Sequence, residues 1–325
     1  MLKPVLIISI LVASFAVQAR AVTIPTVLVG NAGNAADPRV MTDGTTGYGS
    51  VAFDYRIGTT EVTNAQYAEF LNAKAASDPL RLYSVGMGSS FGFGGITRSG
   101  SSGSYTYATI GGRGVMPVNY VSWYDTIRFA NWLHNNQGSG DTETGAYTLL
   151  GGTPTPTNGL SITRNEGATW FLPGENEWYK AAYHKNDGVT SNYFDYPTSS
   201  NTVPTAQAPP GGGNSANYWP PVGDLTNVGA YIASDSPYGT FDQGGNLWEW
   251  NEALISGVFR GVRGGSFGDS SSLLLASFRI NAFPAGEDAD IGFRVAMVPE
   301  PSSFVLAALG LIGLVAYGWR QRRRA

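Results

Sequence analysis

Tyr238-Gly-Thr-Phe-Asp-Gln-Gly-Gly-Asn-Leu-Trp-Glu-Trp250 is the stretch on which the reading of this chain turns. Asp242, Asn246 and Glu249 place three hard oxygen donors on a glycine-containing loop, and glycine lets backbone carbonyls turn inward beside them. Calcium takes six to eight oxygens from carboxylates, amides and carbonyls, so the loop has suitable ligand chemistry. The same residues would also serve as a tight turn with solvated acids and core-filling tryptophans. Composition alone leaves both readings open.

Outward from this loop, the chain is punctuated rather than periodic. Downstream, Phe259 to Arg263, Leu274 to Ile280 and Ile291 to Met297 read as strands. Upstream, residues 187–237 read mostly as loop. A helix is expected from Pro173-Gly174-Glu175, with proline and early acids at its N-terminus and Trp178, Ala181 and Ala182 buried. Ser122-Trp-Tyr-Asp125 and Thr63-Asn-Ala-Gln66 have capping-box spacing. The first heads a helix burying Ile127, Ala130, Trp132 and Leu133; the second heads one burying Tyr67, Phe70, Leu71 and Ala75. Val51 to Ile57 alternates as a strand does. Asp141 to Gly159 reads as a turn-rich hairpin. Gly86 to Gly114 reads as a long loop with a short hairpin through Ser104 to Ile110.

The 325 residues include 43 glycines, 40 aromatic residues, 14% charged residues and no cysteine. Glycine usually makes up roughly 7% of a chain and charged residues about 25%. The aromatic content supports a substantial core, and the glycine points to a loop-rich fold. Without cysteine there is no thiol nucleophile, thiolate metal site or disulfide. His134 and His184, each near a helix end, have no second histidine or acid at ligand spacing. No P-loop, strand-linked G-x-G-x-x-G or G-x-S-x-G elbow occurs.

Both ends read as addresses. Residues 1–21, with Lys3, an apolar run from Pro4 to Val17 and Ala19-Arg20-Ala21, have the form of a signal peptide cut by signal peptidase. Residues 299–325 open with Pro299-Glu300-Pro301, continue with an apolar run across 304–319 and end in an arginine cluster. This order resembles the PEP-CTERM sorting signal of Gram-negative bacteria. The resemblance implies a membrane anchor through 304–319, processing by an exosortase-type enzyme, and a final place at the cell surface or in the extracellular matrix. Without the two ends, lysine plus arginine falls from 20 to 14 and the acids from 24 to 23, leaving a body charge of about −9. A body this acidic argues against nucleic acid as a partner.

Six motifs give the body a second resemblance. Thr60-Glu-Val-Thr-Asn-Ala-Gln-Tyr67, Pro117-Val-Asn-Tyr-Val-Ser-Trp-Tyr-Asp125, Phe171-Leu-Pro-Gly-Glu-Asn-Glu-Trp178, Gly244-Gly-Asn-Leu-Trp-Glu-Trp250, Arg263-Gly-Gly-Ser-Phe267 and Ile291-Gly-Phe-Arg294 stand in one order. Together they resemble the formylglycine-generating enzyme, or sulfatase-modifying factor, domain. The resemblance implies a single compact α+β domain over 51–298, related to the C-type lectin-like fold and low in regular secondary structure, behind a 22–50 extension. It implies one calcium set of Asp242, the Gly245 and Leu247 carbonyls and Glu249. It also implies a second, weaker set of Asn217, Tyr218, Asp224 and Thr226. Trp248 and Ser266 match residues lining the family's active-site pocket.

The departure follows Arg263-Gly-Gly-Ser-Phe267. Formylglycine-generating enzymes carry there two cysteines that bind copper(I); this chain has Asp269 and Leu274. Copper(I) prefers soft sulfur ligands, so copper is not expected. The sequence therefore suggests a calcium-braced surface or matrix module that binds a peptide or saccharide. The alternative is an oxidoreductase-like enzyme using Trp248, Ser266 or Asp269 in the former copper pocket.

Overall fold

The computed structural model describes residues 21–88, 92–138, 140–298 and 320. The predicted signal peptide, except Ala21, and the apolar run at 304–319 lie outside them. Among the described residues no helix is long and apolar enough to cross a membrane.

Two four-stranded sheets carry the architecture. In chain order the elements are β1 (Thr26–Val29), β2 (Tyr55–Gly58), α1 (Asn64–Lys74), β3 (Ile96–Ser99), β4 (Thr106–Thr109) and α2 (Trp123–His134). There follow β5 (Trp170–Phe171), α3 (Glu175–Tyr183), β6 (Thr205–Ala206), β7 (Ser215–Ala216) and β8 (Trp248–Ile255). The last are β9 (Phe259–Arg263), β10 (Ile280–Ala282), β11 (Ile291–Gly292) and β12 (Ala296–Met297). One sheet has the order β1-β2-β12-β5, the other β10-β9-β8-β11. The first joins the two ends of the domain: Thr26 pairs with Gly58, and Ala296 pairs with both Ile57 and Phe171. The 22–50 extension is thereby docked on the domain through its own edge strand.

The helices start where the caps place them. Thr63 Oγ1 accepts from Gln66 N–H and Gln66 Oε1 accepts from Thr63 N–H, which satisfies two otherwise orphaned donors of α1. Ser122 and Asp125 do the same for α2. At α3 the Glu177 carboxylate accepts from Gly174 N–H. Helices α1 and α2 bury Tyr67, Phe70, Phe129 and Trp132 against Phe293. Phe129 lies 5.4 Å from both Phe70 and Phe293, edge to face in each case. Such pairs add about 1 kcal/mol each beyond the area they bury.

Several strand expectations shift. Strand β2 begins at Tyr55, because the backbone at Val51 is used by Gly33 and the Asn34 side chain instead of a ladder. Leu274 to Ile280 is not one strand: Ser271–Leu274 is a 3₁₀ turn, and strand geometry resumes only at Ile280. The Leu274 carbonyl accepts from Tyr183 O–H and Ala276 N–H donates to Asp195, so loop partners replace a neighbouring strand. Ile291 to Met297 splits into β11 and β12, which belong to different sheets. Asp141 to Gly159 holds turns and no strand; Asn131 and Asn158 side chains take its backbone groups. The expected short hairpin is present as β3 paired with β4. The longest strand, β8, lies outside the expected strands: Trp248, Glu249, Trp250 and Asn251 alternate apolar and polar, but all four are buried, and the segment reads as the end of the ligand loop that precedes it.

Candidate functional site

The loop before β8 is built on left-handed backbone. Asp242, Gly245 and Asn246 have φ of 61°, 85° and 63°. Gly245 is required by close approach, since a Cβ there would lie 2.2 Å from the Asn217 carbonyl oxygen. Asn246 ties the loop to three other segments. Its N–H donates to Asn217 O at 2.8 Å, and its Oδ1 accepts from Thr226 N–H at 3.0 Å and Asn217 Nδ2 at 3.2 Å. Its Nδ2 donates to Glu61 Oε1 at 3.0 Å.

Strand β8 then sends successive side chains to opposite sides. Trp248 packs 6.1 Å from the Phe278 ring, and Trp250 Nε1 donates to Val121 O at 2.9 Å. Both tryptophans are buried core residues. Glu249, fully buried, meets Arg294: Nη2 reaches Oε1 at 2.6 Å and Nε reaches Oε2 at 2.6 Å. Trp178 Nε1 also donates to Glu249 Oε2, at 2.7 Å. Arg294 spends its remaining donors on the Gly58 and Phe241 carbonyls. This fork-to-fork pairing, closed on every side, is the form in which a buried ion pair is tolerated.

Two further acids stand in the same region. Asp242 Oδ2 accepts from Gly229 N–H at 2.6 Å, and its Oδ1 has no hydrogen-bond partner among the described residues. Glu61, buried, leaves Oε2 without a partner. Burial pushes Asp242 up to about 6, although the Gly229 N–H and Arg294 pull the other way. Burial, reinforced by Asp242, holds Glu61 well above the ordinary carboxylate range. Three acids thus share the single Arg294 guanidinium. The charge surplus and free carboxylate oxygens fit a hard cation. Among the described residues no three acids or histidines converge at metal-binding distance. Carbonyls such as those of Gly245 and Leu247 would have to complete a calcium set.

The second set fits a metal poorly. Arg113 Nη1 and Nη2 each donate to one oxygen of Asp224 at 2.9 Å. The Asn217 Nδ2 donates to the Asp224 carbonyl at 2.9 Å, while Asn217 Oδ1 is buried without a partner. A guanidinium therefore stands at the carboxylate that the set requires.

At the positions that match the family's copper site, the chain closes on itself. Ser266 donates to Asp269 Oδ2 from N–H at 2.8 Å and from Oγ at 2.7 Å. Leu274 is buried beside Tyr196, Ala216 and Tyr218 and does not share Trp248's cluster. An aspartate so engaged and a buried leucine do not fit copper(I). Neither histidine joins these residues: His134 bonds Thr169, and His184, buried, bonds Tyr238 O–H at 2.7 Å. Burial lowers the proton affinity of His184.

The functional side chains that reasoning from sequence left out are Glu61, Trp178 and Arg294, which join Asn246, already named as an oxygen donor. Each belongs to a motif quoted above. The available signal was the motifs' co-occurrence, which sets four polar or amphipathic groups from distant segments around one buried strand.

A family model described as the sulfatase-modifying factor enzyme 1-like domain matches residues 17–298, and one for the PEP-CTERM protein-sorting motif matches residues 298–324. No functionally curated protein matches the sequence. Among solved structures, Treponema denticola variable protein 1 is 20% identical with a TM-score of 0.55, over 87% of this chain and 98% of that one. The structure titled CarF is 24% identical with a TM-score of 0.53, over 86% of this chain and 99% of that one. At these identities the likeness concerns the fold.

Proposed function

The chain belongs to the sulfatase-modifying factor enzyme 1-like domain family, and from that premise we propose that it is a non-catalytic binding module of the cell envelope or surface. Its PEP-CTERM motif entails recognition by an exosortase-type sorting system and export to the envelope or surface of a Gram-negative cell. The observation that carries the proposal is the closed turn of Ser266 on Asp269, beside a buried Leu274, in a chain without cysteine. The groups that would bind copper(I) are replaced by groups that hold the backbone.

Calcium would bind at Asp242 and the Gly245 and Leu247 carbonyls beside Glu249. When bound it supplies positive charge to a region with three acids and one guanidinium. Asn246 orients the loop, and Arg294 and Trp178 hold Glu249 against water. The ligand class is a peptide or saccharide displayed at the surface.

The test is thermal unfolding of the purified exported protein with calcium or chelator, together with retention on isolated envelope material. A calcium-dependent rise in Tm and calcium-dependent retention are expected. An unchanged Tm removes the brace; oxygen uptake over a cysteine-peptide, tyrosine and thiol panel would replace the module with an enzyme.

A further inference from the structure

Away from the motif network, three clefts meet at one residue. A cleft of about 420 Å³ and one of about 250 Å³ both contain Arg81 and Glu287 in their walls. A third, of about 430 Å³, shares Arg81, Pro154 and Thr155 with the second. Together they form a continuous depression between the turn at 78–84 and the loop at 283–287.

The turn itself is held firmly. Asp78 and Arg81 both lie in the left-handed region, at φ of 49° and 54°, and Asp78 Oδ1 accepts from Leu82 N–H at 2.7 Å. That geometry presents Arg81 to the depression. Its guanidinium is exposed and makes no hydrogen bond or ion pair among the described residues. The neighbouring Arg98 is already committed: it lies over the Tyr83 and Tyr105 rings, 4.8 and 4.4 Å from their centroids, and 3.5 Å from Asp78 Oδ2. Of the acids in the walls, Asp78 and Asp125 are tied to backbone and Ser122. Glu287 is exposed and has Ser84 and Arg81 as its near neighbours.

We propose that this depression binds a carboxylate-bearing saccharide, with Arg81 receiving the carboxylate and Glu287 and Ser84 receiving sugar hydroxyls. The match is one of inventory. A uronate unit offers one anion and several hydroxyls; the depression offers one uncommitted guanidinium, one accessible carboxylate and hydroxyl-rich walls. A phosphate ligand would meet three wall acids with only one free cation, which opposes a doubly charged group. Pro79, Leu80, Val85 and Pro154 set apolar wall beside these polar groups, as the mixed C–H and O–H faces of a sugar ring require. A charge-assisted contact to one carboxylate orients a ligand without demanding a basic surface, so an acidic protein can make it. The inference rests on the binding-module reading and adds the ligand class and place.

The experiment titrates the exported protein with a gluco-oligosaccharide carrying a single uronate unit, with the same neutral gluco-oligosaccharide lacking it and with a glutamate-containing peptide by calorimetry, for wild type, Arg81→Gln and Glu287→Gln. Uronate binding weakened about tenfold or more in Arg81→Gln at unchanged Tm is expected. Glu287→Gln should weaken it less. Equal binding of the neutral sugar, preference for the peptide, absence of uronate binding, or indifference to Arg81→Gln would each overturn the proposal. Retention of the Arg81→Gln protein on envelope material would then leave the module reading standing, whereas loss of retention by wild type would remove that reading itself.

Discussion

Around β8, Glu61, Asp242 and Glu249 share one guanidinium, whereas at the other expected cation set Asp224 has Arg113 to itself. Both regions gather carboxylates that need a counter-charge, buried in the first and partly exposed in the second. The first answers that need incompletely, leaving Glu61 Oε2 and Asp242 Oδ1 without donors. The second answers it with a side chain that needs no metal. Residue identity at ligand positions is therefore insufficient to assign a metal; the count of opposing charges decides whether one is wanted.

The largest effect that would break this contrast is expected at Arg294. Arg294→Gln leaves three acids in the β8 region without a guanidinium, and breaking a buried pair in this way costs about 3–5 kcal/mol. Chemical denaturation should show the loss, and calcium should restore part of it if a cation can serve the same acids. A loss below about 1 kcal/mol would mean that the acids are already protonated or solvated.

Gly245→Ala comes next. The added Cβ meets backbone at 2.2 Å on a φ of 85°, so the loop must move away from Asn217. About 2 kcal/mol or more is expected, with loss of any calcium response, because the carbonyl moves with the loop. An intact calcium response in Gly245→Ala would place the cation elsewhere.

These two residues also show what was legible in sequence. Gly245 stands in a motif whose glycine already announced inward-turned backbone, and Asn246 and Glu249 were named as oxygen donors. That Glu249 would be met by Arg294 was not readable: 45 residues separate them, and β11 brings them together only through parallel pairing with β8. The three helices were readable because caps and apolar faces are local. The strands at 274–280 and 291–297 were misjudged because their backbone partners come from distant loops and sheets. Strand β8 does alternate, as Trp-Glu-Trp-Asn, but its polar residues face buried partners instead of water, and Glu249 was read as a cation donor of the preceding loop.

Asp125 provides a buried acid outside both cation regions. Its nearest guanidinium, Arg128, lies 3.8 Å away and is already bonded to Glu143 at 2.7 Å. Burial pushes Asp125 up to about 7 from 3.8. The folded state then holds this proton more tightly than the unfolded state, so the stability it contributes is complete below about pH 4 and is lost as pH rises through 7. Within that window the slope approaches about 1.4 kcal/mol per pH unit. Asp125→Asn should flatten this part of the stability profile without altering any calcium response. A profile unchanged by the substitution would show that Asp125 ionises without penalty.

The smallest effect is the sharpest test of the contrast. Asp224 is about one-third exposed, and its bidentate contact with Arg113 is worth about 1 kcal/mol after solvent screening. Arg113→Gln should therefore lower stability only slightly in chelator. It also frees Asp224 Oδ2, while Oδ1 keeps the Leu225 N–H and has room for a cation on its other side, and Asn217 Oδ1 in the same set is already unpartnered. Calcium should then restore Tm in Arg113→Gln beyond the rise seen in wild type, and Arg113→Gln combined with Asp224→Asn should lose that extra rise. If Arg113→Gln gains no additional calcium response, the guanidinium has not taken a cation's place, and the two regions differ in local packing rather than in how their charge is balanced.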